Sequence, residues 1–202
     1  GDTRTPLPTL GGVGSAARGI NETGQIVGWL GNSATDTRGC IWYQGQLTLL
    51  GALGGGGQQA WPCAINEAGD IVGQAETGPP GPYGAPRQAF LYRQGVMQPI
   101  ANAASVARDI NDLAQIVGKA DSRPFLWEDG EWDYLPYPPL AGGTAEALAI
   151  NNHGQIVGFT SWGEGRAVLW EGGVAHDLIN LIDTNSGWTV LERRSEERRG
   201  GK

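Results

Sequence analysis

Residues 19–28, Gly-Ile-Asn-Glu-Thr-Gly-Gln-Ile-Val-Gly, return three more times: AINEAGDIVG at 64–73, DINDLAQIVG at 109–118 and AINNHGQIVG at 149–158. The copies start 45, 45 and 40 residues apart. A second motif follows each of them: GCIWYQG at 39–45, AFLYRQG at 89–95, PFLWEDG at 124–130 and AVLWEGG at 167–173. Two linked motifs repeated four times in fixed order mark an array of units that bury their apolar faces against one another.

The first motif reads as strand, turn, strand. Asn21, Asn66, Asn111 and Asn151 can each bond their own backbone two residues on, and Gly24, Gly69 and Gly154 accept positive φ, so each pair closes a tight hairpin. The third copy has Ala114 where the others have glycine. The Ile-Val that follows suits a half-buried strand. The second motif is a third strand ending at another glycine turn. A short fourth strand is expected at Gln46–Leu50, Val96–Ile100, Glu131–Leu135 and Val174–Ile179. No ten-residue stretch has helical periodicity.

Four short strands in every 40–45 residues predict an all-β fold, a propeller-like array of four blades, with a β-solenoid as the alternative. The expected blades are 13–55, 56–103, 104–143 and 144–182, within one repeat domain spanning 5–191. Leu7–Gly12 resembles the segment after the first blade's fourth strand and is expected as an orphan strand. Asn32–Arg38 and Glu76–Arg87 are expected as loops between second and third strands. Residues 192–202 are expected to be a disordered basic tail, and Arg194–Lys202 matches the in-frame translation of a sequencing adapter. Another repeat is expected to begin just after Val190.

Composition narrows the function classes. The 202 residues include 34 Gly, 12 Pro and 8 Trp, with 40% apolar and 17% charged, which is too apolar for a disordered chain. A net charge of -7 lacks the basic footprint of a nucleic-acid binder. No run approaches the 18 apolar residues of a membrane helix, so no membrane insertion is expected. Nucleophile-elbow and Walker A motifs are absent. His153 and His176 have no ligand spacing, and of the four six-residue turns that begin at the Ile before each Asn only Ile65–Asp70 supplies two acids, Glu67 and Asp70, so neither a metal nor any other cofactor is expected.

Together the two motifs resemble the HAF repeat, a bacterial repeat family named for a His-Ala-Phe tripeptide. The resemblance covers roughly residues 5–191 and rests on the Ile-Asn-x-x-Gly-x-Ile-Val-Gly copies and on Ala89-Phe90-Leu91-Tyr92 with its counterparts. Gln88 stands where the naming histidine would be, and Cys40 and Val168 replace its phenylalanine. The resemblance implies a secreted or surface-exposed protein, often longer than this chain, whose repeats carry no assigned catalysis. The expected function is a non-enzymatic binding or scaffolding module with a glycan or protein ligand. The alternatives are a polysaccharide hydrolase or lyase and a purely structural surface array.

Residues that recur in every repeat are expected to build the frame. Trp42, Tyr92, Trp127 and Trp170 share one repeat position and read as wedges between blades. Aromatics outside the repeat pattern are the better ligand candidates: Trp132, Tyr134, Tyr137, Trp162 and Trp61. A buried thiol is the default reading of Cys40. A Cys40–Cys63 disulfide between neighbouring blades is the alternative that an oxidising compartment allows.

Overall fold

The computed structural model describes residues 6–9, 11–33, 36–54, 59–82, 84–101, 104–138, 143–161 and 165–181. The first sheet is β1 (Gly14–Ile20), β2 (Ile26–Ser33), β3 (Asp36–Tyr43) and β4 (Gln46–Leu49). The second is β5 (Ala60–Ile65), β6 (Ile71–Glu76), β7 (Arg87–Arg93) and β8 (Val96–Pro99). The third is β9 (Ser105–Ile110), β10 (Ile116–Ala120), β11 (Arg123–Glu128) and β12 (Glu131–Tyr134). The fourth is β13 (Ala145–Ile150), β14 (Ile156–Thr160), β15 (Arg166–Glu171) and β16 (Val174–Asp177), followed by a 3₁₀ turn at Leu178–Leu181. Within each sheet the strands lie in chain order and every neighbouring pair is antiparallel.

The sheets fan out as propeller blades do. First strands pack on one another, β1 on β5, β5 on β9 and β9 on β13, whereas fourth strands pack chiefly on their own third strand. A solenoid would stack all four strands alike. Strand neighbours point to opposite faces, so the Ile-Val pairs of the second and third sheets each serve two junctions at once. Ile71 and Phe90 turn back to meet Val27 and Leu50 of the first sheet, while Val72 and Leu91 turn forward to meet Ile116, Phe125 and Trp127 of the third. Val117, Leu126 and Leu135 then meet Ile156, Val168 and Trp170 of the fourth. Burial of each such side chain contributes roughly 1.5–3 kcal/mol.

The closing glycine of the first motif has a steric reason. A Cβ on Gly28, Gly73, Gly118 or Gly158 would lie 2.0, 2.2, 2.0 or 2.0 Å from the carbonyl oxygen of Ala16, Trp61, Val106 or Glu146. At that level each first strand carries a β-bulge, and the extra residues are Arg18, Cys63, Arg108 and Leu148.

Two expectations are corrected. Asn32–Arg38 is largely strand rather than loop, because β2 runs to Ser33 and β3 starts at Asp36. Gly31 permits this, since a Cβ there would meet the Asp36 carbonyl oxygen at 2.5 Å. Among the described residues of Leu7–Gly12 there is no strand. Leu7 instead packs against Leu30, Cys40 and Trp42, and the Trp42 indole donates to the Pro8 carbonyl at 2.7 Å. Pro136 accepts from Trp170 at the same distance, so Leu7-Pro8 copies the Leu135-Pro136 segment that follows a fourth strand. The tail and the expected start after Val190 lie outside the described residues.

Candidate functional site

One end of the array carries the repeated turns. In each turn the asparagine amide oxygen accepts the main-chain N–H four residues on: Gln25 at 2.9 Å, Asp70 at 2.9 Å, Gln115 at 2.9 Å and Gln155 at 3.0 Å. Leu113 and His153 add the expected bond two residues on. The sequence reading missed what the amide nitrogen does. Asn21, Asn66 and Asn111 donate to the main-chain oxygens of Asn66, Asn111 and Asn151 at 3.1, 3.1 and 3.0 Å, tying each turn to the next. A second rung runs beside it: the N–H groups of Glu22, Glu67 and Asp112 donate to the side chains of Glu67, Asp112 and Asn152. The Glu67 N–H, joined by the Asn152 side-chain amide, holds the Asp112 carboxyl below its ordinary range. Aspartate closes such a turn as well as asparagine does but has no donor, so asparagine in all four copies was the available signal.

A cavity of about 620 Å³ opens at this end, lined in part by Gln25, Asp70, Tyr92, Arg93 and Leu113. Asp70 is held there by Arg93 at 2.9 and 2.7 Å.

The opposite end is not repetitive. A cleft of about 510 Å³ lies between the second and third sheets, and its lining includes Gln74, Arg87, Ser105, Arg108 and Lys119. Arg87 begins β7, Lys119 sits near the end of β10, and Arg108 is the bulge residue of β9. Among the described residues the lining therefore holds three cations and no carboxylate, in a chain whose net charge is -7. Glu146, buried on β13 behind the cleft, pairs with Arg108 and stands 3.3 Å from Lys119. Arg87 lies over the Trp61 ring, its guanidinium carbon 4.0 Å from the centroid. Burial pushes the Cys63 thiol up, opposed by the charges of Arg108 and Arg18.

The aromatic candidates are not gathered into one site. Trp61 stands on β5, a first strand, whereas Trp132 and Tyr134 stand on β12, a fourth strand. Trp132 meets Phe125 edge to face at 6.0 Å and Tyr134 at 5.1 Å, both half-buried against the core between the second and third sheets. Arg123 covers the Tyr134 ring at 3.8 Å. Tyr137 donates its hydroxyl to the Gly143 carbonyl at 3.0 Å. Trp162 lies outside the described residues. Trp42, Trp127 and Trp170 are buried and Tyr92 is half-buried, each on the backward face of its sheet.

Cys40 and Cys63 are both free thiols, so the disulfide alternative is not what the structure contains. The Cys40 side chain turns back into the cluster around Leu30 and Trp42, away from the second sheet, and burial pushes its pKa up to about 12. Asp109 accepts the Ile150 N–H at 2.9 Å across the last junction. Burial raises its carboxyl pKa, and the N–H groups of Ile150 and Ile110 pull it back. Among the described residues no group of three His, Cys, Asp or Glu side chains is placed to hold a metal ion, and no helix is long and apolar enough to cross a membrane. No protein-family profile, curated protein or solved structure matches the chain.

Proposed function

We propose that this chain is a non-enzymatic binding module of the HAF-repeat kind, working outside the cell, and that it holds an acidic glycan in the cleft between its second and third sheets. The cleft lining carries the reading: Arg87, Arg108 and Lys119 face it, with no carboxylate among the described lining residues. A ligand carboxylate or sulfate would take charge-assisted hydrogen bonds from the two guanidinium groups, which match such oxyanions in a planar, two-toothed fashion. Trp61, already covered by Arg87, would hold that cation in place from below. The buried carboxylates described are engaged with partners: Asp70 with Arg93, Glu146 with Arg108, Asp177 with Arg166 and Glu76 with Gln59. Their arrangement favours a holding site over acid–base chemistry.

Titration calorimetry with a uronic-acid oligosaccharide and a neutral one of equal length tests this. The acidic ligand is expected to bind, more weakly as salt rises, and the neutral one is not. Arg87→Ala should lower affinity roughly tenfold, the scale of one charge-assisted bond, while moving stability by under about 0.5 kcal/mol as an exposed substitution. Equal binding of both sugars, or none of either, sinks the proposal. Release of reducing ends that a single Asp or Glu substitution abolishes would establish the hydrolase or lyase instead.

A further inference from the structure

The two ends of the array are the exposed halves of a junction that the molecule builds three times inside itself. On the forward face Val27, Val72 and Val117 are 0% exposed beneath the following sheet, but Val157, the fourth member of the series, is 41% exposed. On the backward face Ile65, Ile110 and Ile150 are 9%, 5% and 9% exposed against the preceding sheet, but Ile20 is 66% exposed.

The polar rungs are incomplete in the same complementary way. Asn21, Asn66 and Asn111 each give one amide hydrogen to the next turn, and Asn21 and Asn111 give the other to the glutamine of their own turn. Asn151 spends one on Gln155, and among the described residues the second meets no acceptor. The Asn152 N–H, successor to those of Glu22, Glu67 and Asp112, likewise has no acceptor among them. At the other end the Asn21 carbonyl takes the Gly24 N–H but no incoming amide, and the Glu22 carboxylate holds the place where Glu67, Asp112 and Asn152 each accept an N–H. Two donors at one end thus answer two acceptors at the other.

We propose that the forward face of the fourth sheet docks on the backward face of the first sheet of a second copy of this chain, head to tail. Asn151 Nδ2 then donates to the partner copy's Asn21 carbonyl, the Asn152 N–H to its Glu22 carboxylate, and Val157 packs beside its Ile20. The outer part of the first sheet's backward face is already covered by Leu7 and Pro8. The approaching chain leaves them room, since its Leu178–Leu181 segment coils into a 3₁₀ turn against β15 and β16 instead of extending as Leu135-Pro136 does. The contact joins unlike surfaces, so it closes into a ring where the rotation allows and otherwise grows as a chain. It does not depend on any ligand in the cleft.

Sedimentation velocity from low micromolar to near-millimolar protein tests this, with Val157→Lys and Ile20→Lys as variants at positions exposed enough to leave the fold intact. The wild type is expected to associate with rising concentration and each variant to stay at the mass of one chain. An equal mixture of the two variants should recover a 1:1 dimer that grows no further, because Val157→Lys keeps its first sheet and Ile20→Lys keeps its fourth. A wild type that remains monomeric throughout overturns the proposal. So does association that both variants retain, or a mixture that fails to pair.

Discussion

The turn end and the cleft end of this molecule are built from the same sixteen strands on opposite principles. At the turn end every repeat supplies the same residue for the same task, and Asn21, Asn66 and Asn111 make near-identical bonds to the following turn. At the cleft end the equivalent positions diverge, so that Trp61, Val106 and Glu146 occupy one level of the first strand and Arg18, Cys63, Arg108 and Leu148 the bulge beside it. On the function proposed here, the difference separates assembly from recognition. Residues that hold sheet to sheet must recur wherever a junction recurs, and residues that meet a ligand need occur only once.

The largest expected effect breaks the frame near its turn end. Trp170 is buried against Val117 and Leu135 and donates to Pro136, and Trp170→Ala should cost about 3–5 kcal/mol. In a chain of this length the melting temperature should fall by roughly 10 °C, read by calorimetry. A loss no larger than that of an exposed residue would show that the repeated aromatics do not carry the junctions. Next comes Asn111→Asp, which keeps the oxygen that closes the turn but removes the donor to Asn151 and sets a carboxylate against its carbonyl. About 1–3 kcal/mol should be lost in urea unfolding. Wild-type stability for this variant would reduce the ladder to a by-product of packing. The smallest effect sharpens the comparison from the other side. Ala114 sits at φ +61° where its counterparts are glycine, so Ala114→Gly should stabilise by about 1 kcal/mol, raising the melting temperature by a few degrees.

The frame was legible because its signals are local. Asn66-Glu67-Ala68-Gly69 writes its own turn, and the alternation around Ile71-Val72 writes two opposed faces. The ladder between turns was harder to see, since its acceptor lies 45 or 40 residues away and only the donor chemistry of asparagine hints at it. The cleft was invisible for a stronger reason: Arg87, Arg108, Lys119 and Glu146 sit on four strands of three sheets, and no spacing rule joins them. Trp132 and Tyr134 read as ligand candidates because they fall outside the repeat. Their two-residue spacing puts both on one face, opposite Trp127 and Phe125, where they pack. Asn32–Arg38 misled in the opposite direction, since a polar composition looks like loop where a glycine lets the ladder run on.

The β-bulge on each first strand has an evolutionary consequence. It excuses one residue per repeat from ladder pairing without disturbing the residues on either side. A gene that lengthens by copying whole repeats would ordinarily copy its surface chemistry too. Here each duplicate arrives with a position free of ladder pairing, and the four in this chain are arginine, cysteine, arginine and leucine.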